Sequence, residues 1–255
     1  MKILISNDDG IDSPGIRALA RAVSDLGEVT VVAPHRERST AGHSLTLHKP
    51  LRLEEVEKGF FAATGTPADC VYLGIREILK EVPDVILAGI NRGANLGTDV
   101  HYSGTVAAAR EGALMNIRSF AFSLVPVPGD ENKPMDFGMA AGWARKALEL
   151  GLDVPFPKHT LLNVNIPNVE GSQVRGMRVA RQGFRYYANE VTRRVDPRGK
   201  PYYWIGGPYK GFEKSVDCDC NAVNEGWVSV TPLTIDCTHN DFYATLSAAQ
   251  RTNGL

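Results

Sequence analysis

An open α/β fold, a mostly parallel sheet with helices on both faces, is the class this sequence predicts, and three observations predict it. Short valine- and isoleucine-rich runs alternate with amphipathic stretches from the start of the chain to about residue 166. Three of the runs end in polar, glycine-bearing loops: NDDG after Lys2 to Ser6, HRERSTAGHS after Glu28 to Ala33, and the loop from Ile90 to Gly97 after Asp84 to Gly89. The carboxyl ends of parallel strands are where open α/β sheets hold their ligands. Finally, 255 residues at 43% hydrophobic and 22% charged can bury one large core, so a single domain over 1–255 is expected.

Each element follows from local chemistry. The first strand, KILIS, runs directly into Asn7, Asp8 and Asp9. Asp12 or Ser13 can then cap a helix with Pro14 at its first position, and Ile16, Leu19, Ala20, Val23 and Leu26 form one apolar face ending at Gly27. Glu28 to Ala33 is a second strand, valine-rich and suited to lie parallel to the first through a right-handed crossover. Leu45 to Glu57 alternates apolar and polar residues and Phe60 to Thr64 is again extended, the pattern of hairpin-like or edge strands. Thr66, Pro67 and Asp69 make a capping box opening a helix expected to run through Lys80. Asp84 to Gly89 is a buried strand, and Tyr102 to Thr105 lead into the helical VAAAREGALM. Arg118 to Leu124, Asp136 to Leu150 and Thr160 to Ile166 read as strand, helix and strand. Beyond them an aromatic and charged stretch is expected to protrude as a β-hairpin arm at about 184–207, with Asp196 to Gly199 as its turn. Strand Trp227 to Leu233 and a helix from Phe242 to Arg251 form a C-terminal segment at 226–251.

The composition excludes some partners. Lys plus Arg number 28 against 29 Asp plus Glu, a net charge of −1 that gives a nucleic-acid polymer or anionic membrane no general attraction. The opening residues show no basic region leading into an apolar run, and no stretch reaches the length of a membrane span, so a cytoplasmic protein is expected. Cys70, Cys218, Cys220 and Cys237 show no CxxC spacing and are expected to be reduced. In the run Asp217 to Cys220 the two residue types alternate on an extended segment without a His partner, which argues against zinc.

The chemistry concentrates at Asp8 and Asp9. Adjacent ionised carboxylates repel and are costly to desolvate, so they need a cation, a shared proton or full exposure to water. Gly10 favours the cation, because a sharp turn lets both carboxylates face one ion. Hard oxygen ligands suit Mg²⁺, Mn²⁺ or Ca²⁺. At Ser103, Gly104 and Thr105, small residues open a helix and leave its N–H groups as a place for phosphate. A bulky side chain at Gly104 is expected to obstruct that approach and to change metal affinity little. His43 and His101 are candidates for a proton donor or a phosphate contact.

The motifs NDDG, Glu37 to Ser39, GTPADC from Gly65, GINRGAN from Gly89 and YSGTVAAAREG from Tyr102 stand in an order that resembles the SurE family of survival proteins. The resemblance continues through DPRGKPYYWIGG and VSVTPL, and so covers nearly the whole chain. It implies a Rossmann-like main domain with an oligomerisation arm, hence a homodimer or homotetramer. It implies a 5'-nucleotidase, a metal-dependent phosphomonoesterase acting on nucleoside 5'- and 3'-monophosphates, with short polyphosphate as a further substrate. Carried over position by position, it puts the metal ligands on Asp8, Asp9, Ser39 and Asn91, with Mg²⁺ or Mn²⁺ as the cofactor. Asn95 joins Asp8 and Asp9 as a catalytic residue and joins Ser103, Gly104 and Thr105 as a phosphate contact. The four ligands sit just past the ends of three apolar strands, where a doubly wound sheet would gather them.

The mechanism expected is attack of water on phosphorus, with cation and helix N-terminus stabilising the phosphoryl oxygens. An aspartyl-phosphate route of the haloacid-dehalogenase type would need D-x-D after the first strand, whereas this pair is adjacent. The competing reading is a non-catalytic nucleotide or sugar-phosphate-binding protein on the same fold.

Overall fold

A computed structural model describes residues 1–40, 42–127, 133–188 and 190–252. The main sheet is built from β1 (Lys2–Ser6), β2 (Glu28–Pro34), β3 (Leu53–Glu57), β4 (Phe60–Ala63), β5 (Val85–Arg92), β6 (Arg118–Val125), β7 (Thr160–Pro167), β8 (Met177–Val179) and β13 (Val228–Thr234). Their order is β3-β4-β2-β1-β5-β6-β7-β13-β8. From β4 to β7 neighbouring strands are parallel, while β3 runs antiparallel to β4 and β13 antiparallel to β7. The expected α/β class is the observed one.

Both faces of the parallel strands are covered, which is why those strands read as continuous apolar runs. Ile3 and Ile5 point to one face with Val31, Leu87 and Phe122, against α1 (Pro14–Val23) and α4 (Phe137–Leu152). Leu4 points to the other with Val32 and Ile86, against α2 (Pro67–Leu73) and α3 (Gly104–Leu114). From β1 the chain first builds outward through β2 and then returns to place β5 on the opposite side of β1. The order thus reverses between β1 and β5, and a crevice opens beyond their carboxyl ends.

The helix expected to continue through Lys80 changes character. After Leu73 the turns from Gly74 to Leu79 widen to π-type geometry and stop at Lys80, whose φ is +56°. A Cβ on Gly74 would lie 2.8 Å from the Leu4 side chain, so this glycine serves close packing on β1. The segment 217–220 is not extended either. Cys218 caps the short helix α5 (Asp219–Asn224), and the buried Asp219 carboxylate accepts from the N–H groups of Gly97, Gly183 and Cys220. That carboxylate ties loops together.

The arm is a two-tier hairpin. At its base β9 (Arg185–Tyr187) pairs with β12 (Tyr209–Phe212), and beyond it β10 (Glu190–Val195) pairs with β11 (Pro201–Gly206). The Asp196 carboxylate closes the tip by accepting from Arg198 and Lys200 N–H, each at 2.9 Å. Val191, Tyr203, Trp204 and Ile205 stand exposed on it. The last helix, α6 (Asn240–Thr252), is exposed as well. Among the described residues no helix is long and apolar enough to cross a membrane.

Candidate active site

The crevice between β1 and β5 is a cleft of about 1100 Å³, and its lining includes Asp8, Asp9, Ser39, Asn91, Asn95 and Ser103. The acidic loop is shaped by Asn7, whose side-chain amide donates to Gly10 O at 2.9 Å and Ser13 Oγ at 2.7 Å while its Oδ1 accepts from Gly10 N–H. Gly10 adopts φ +102°, the left-handed region that glycine tolerates.

Asp8 is 6% exposed. Its carboxylate accepts from the Thr105 hydroxyl and from the main-chain N–H groups of Gly104 and Thr105 at the start of α3. Desolvation nonetheless holds the Asp8 pKa above the usual carboxylate range, with those hydrogen bonds pulling against it. Asp9 is half-buried and accepts from Arg92 N–H at 3.0 Å. Burial, and after it the charge on Asp8, push its pKa up to about 6. Among the described residues no Lys, Arg or His forms an ion pair with either carboxylate.

Asn91 reaches the cleft because β5 slips register against β6 between Ala88 and Asn91, a bulge that re-aims the strand end. Its side-chain amide donates to Gly93 O at 3.0 Å. Asn95 is clamped: its N–H donates to Asn165 Oδ1, its carbonyl accepts from Asn163 and Asn165, and its side-chain amide donates to Ser123 Oγ at 2.7 Å. Ser39 lies on the exposed loop after β2, its hydroxyl donating to Glu37.

The phosphate reading of the α3 N-terminus needs correction in one respect. The N–H groups of Gly104 and Thr105 are not open, because they and the Thr105 hydroxyl are engaged by Asp8, and Thr105 is fully buried. A Cβ on Gly104 would lie 2.7 Å from Asp8 Cβ, so this glycine admits the carboxylate, and bulk there moves a ligand candidate. Ser103 lines the cleft while its hydroxyl caps α3 by accepting from Val106 N–H. Of the two histidines, His101 lines the cleft and His43 faces Glu111.

Some site residues escaped the sequence reading. The base of the arm, Phe184 to Tyr187, walls the cleft opposite the acidic loop. Arg185 is fixed there by Asp99 at 2.5 Å, which also accepts from the Tyr187 hydroxyl at 2.7 Å. Asn163 and Asn165 are fully buried supports of Asn95. Their signal was legible: two amides at i and i+2 in an otherwise apolar strand point to one face.

The donor set fits a hard divalent cation. Two carboxylates that form no ion pair among the described residues, beside a hydroxyl and an amide, offer oxygen ligands and, when both are ionised, a charge of −2. Among the described residues no three His, Cys, Asp or Glu side chains gather as a metal group, and the candidate set is a mixed one of carboxylate, hydroxyl and amide oxygens.

A doubly wound sheet whose switch point carries an acidic, oxygen-lined cleft defines the class, an open α/β protein with a candidate ligand site at the strand ends. The model of the family "Survival protein SurE" matches residues 3–189. The 5'-nucleotidase SurE of Geobacter sulfurreducens is 48% identical over 250 residues, covering 98% of this chain and 93% of the relative. That of Myxococcus xanthus is 49% identical over 251 residues, with coverage of 98% and 93%. The crystal structure of SurE protein from Aquifex aeolicus superimposes with a TM-score of 0.85 at 43% identity, covering 98% of this chain and all of that one. The chain belongs to the SurE family.

Proposed function

We propose that this chain is a 5'-nucleotidase that hydrolyses nucleoside 5'-monophosphates with the help of one divalent cation, Mg²⁺ or Mn²⁺. The observation that carries the reading is the pair Asp8 and Asp9, held in a cleft at the sheet's switch point and, among the described residues, in no ion pair. The names of its relatives supply the substrate class. Asp8, Asp9, Ser39 and Asn91 would hold the cation. When bound, such a cation supplies positive charge to the phosphoryl oxygens and lowers the pKa of the attacking water.

The protein's part is positional. Thr105 and the N–H groups of α3 keep Asp8 turned into the cleft, and Arg92 N–H does the same for Asp9. Asn95, fixed at backbone and side chain, and Ser103 border the space for phosphate. His101, which lines the cleft, would be the histidine to give a proton to the leaving oxygen. The aromatic wall of Tyr102, Phe184 and Tyr186 offers faces on which a base can stack. A cleft of about 1100 Å³ also leaves room for 3'-esters and short polyphosphate. Asp8 and Asp9 are adjacent and lack the D-x-D spacing of an aspartyl-phosphate route, so water serves as nucleophile. The exposed arm aromatics are proposed to pack in a homodimer or homotetramer.

The test is inorganic phosphate released from a panel of 5'- and 3'-monophosphates, glycerol phosphate and tripolyphosphate, with Mg²⁺ or Mn²⁺ present. Preferential turnover of nucleoside 5'-monophosphates is expected. Tight nucleotide binding without phosphate release would instead support a sensor.

A further inference from the structure

Glu111 lies inside α3 among small, buried residues, and its side chain is 7% exposed. A carboxylate there is costly unless paired. Its partner is His43, with Nε2 and Oε2 2.8 Å apart. His43 belongs to the loop that carries Ser39, so the contact joins the core helix to that loop.

The geometry gives this contact a task. Gly104 and Glu111 are seven residues apart on α3, about two turns, and so share one side of the helix. Gly104 abuts Asp8 at one end. One rigid element therefore touches Asp8 directly and the Ser39 loop through Glu111. Ser39 itself lies between two anchors. Before it, Arg38 N–H donates to Asp8 O at 2.7 Å and the guanidinium donates to Thr64 O at 3.1 Å. After it, the chain passes Thr40 (φ +58°) and Gly42 (φ +57°) to reach His43. The Ser39 hydroxyl's own partner, Glu37, is two residues away and cannot fix it against the acidic pair.

We propose that His43 and Glu111 form a tether that positions Ser39 as a ligand of the divalent cation. The inference rests on reading Asp8, Asp9, Ser39 and Asn91 as the ligand set. It makes His43 a positioning residue, since its Nε2 is turned to Glu111 and not into the cleft.

The experiment is Mn²⁺ binding to the chelator-treated full chain, read from the electron paramagnetic resonance signal of free Mn²⁺ without substrate. Groups bonded directly to a metal ligand are worth 10- to 100-fold in affinity, and His43 acts on Ser39 only through the intervening loop, so His43→Ala should weaken binding by the lower end of that range, about tenfold. His43→Gln, which keeps a donor near the Nε2 position, should restore most of it. The double variant His43→Ala with Glu111→Gln should lose no more than His43→Ala alone, because the two act as one unit. Parental affinity in a folded His43→Ala protein, or additive losses in the double variant, would overturn the tether. Should His43→Ala fail to fold, parental affinity in a folded Glu111→Leu protein, which removes the acceptor His43 bonds to, overturns it equally. Ser39→Ala separates the two ideas: parental affinity there sinks the ligand reading and the tether with it. A loss there beside unchanged His43→Ala removes the tether alone.

Discussion

Replacing Asp9 by Asn should stabilise the metal-free protein while abolishing its activity. In the folded chain Asp9 titrates at about 6, against an ordinary carboxylate value of 3.8. Its folded pKa is raised, so the native state binds the proton more tightly than the unfolded chain, and ionisation destabilises the fold. The parent therefore loses stability as pH rises from about 4 through 6, and the loss is complete above that window. A displacement of about two pH units corresponds to about 3 kcal/mol. Water reaching Asp9 through the cleft reduces this to about 2 kcal/mol. Asn keeps an oxygen to accept Arg92 N–H, so the hydrogen bond survives. For a chain of this size the gain corresponds to roughly 4–8 °C in Tm. The assay is thermal unfolding of both chelator-treated proteins at pH 7.5 and 4.5. The advantage of Asp9→Asn should be full at the higher pH and shrink towards the lower. A variant less stable than the parent at pH 7.5, or an advantage independent of pH, would refute the reasoning.

Three further outcomes follow from the same geometry. Thr105→Val removes the hydroxyl that Asp8 accepts from at a fully buried position; apo stability should fall by about 2 kcal/mol in denaturant titration, and half-maximal activation should need more metal. Gly104→Ala places a Cβ 2.7 Å from Asp8 Cβ and 2.8 Å from Asp8 Oδ2, so metal activation should weaken by about tenfold; unchanged activation would show that Asp8 is not displaced. Deleting Glu190–Gly206 with a short glycine bridge removes β10 and β11, the outer tier of the arm, while leaving β9 and β12 paired, and mass in solution should fall to that of a monomer if the arm holds the assembly.

The fold was largely legible because it rests on local signals. KILIS, EVTVVA and DVILAG are too apolar to be anything but buried strands, and their abrupt polar ends marked the edge where the cleft forms. The acidic pair stood out for the same reason: nothing in an apolar strand explains two carboxylates at its end. What sequence could not give were contacts set by distant partners. The N–H groups of α3 looked free because their partner, Asp8, lies almost a hundred residues earlier. The widened turns after Leu73 depend on how closely Gly74 meets Leu4. Cys218 to Cys220 looked extended because a short helix leaves little periodicity, and its stability comes from Asp219 bonding to two other loops. The arm was visible as a hairpin, whereas its base as a wall of the cleft depends on the Arg185 to Asp99 pair. His43 showed the limit most clearly, since a histidine near a phosphate site reads as chemistry until its partner in α3 is seen.

The central claim, that the cleft of Asp8 and Asp9 holds a divalent cation required for phosphate ester hydrolysis, is tested most directly by one titration. Chelator-treated protein is given AMP, and released phosphate is followed as Mg²⁺ or Mn²⁺ is added back. The account predicts no turnover before addition and saturable recovery in the parent, with none in Asp9→Asn at any metal concentration tested. Undiminished turnover in excess chelator would contradict it.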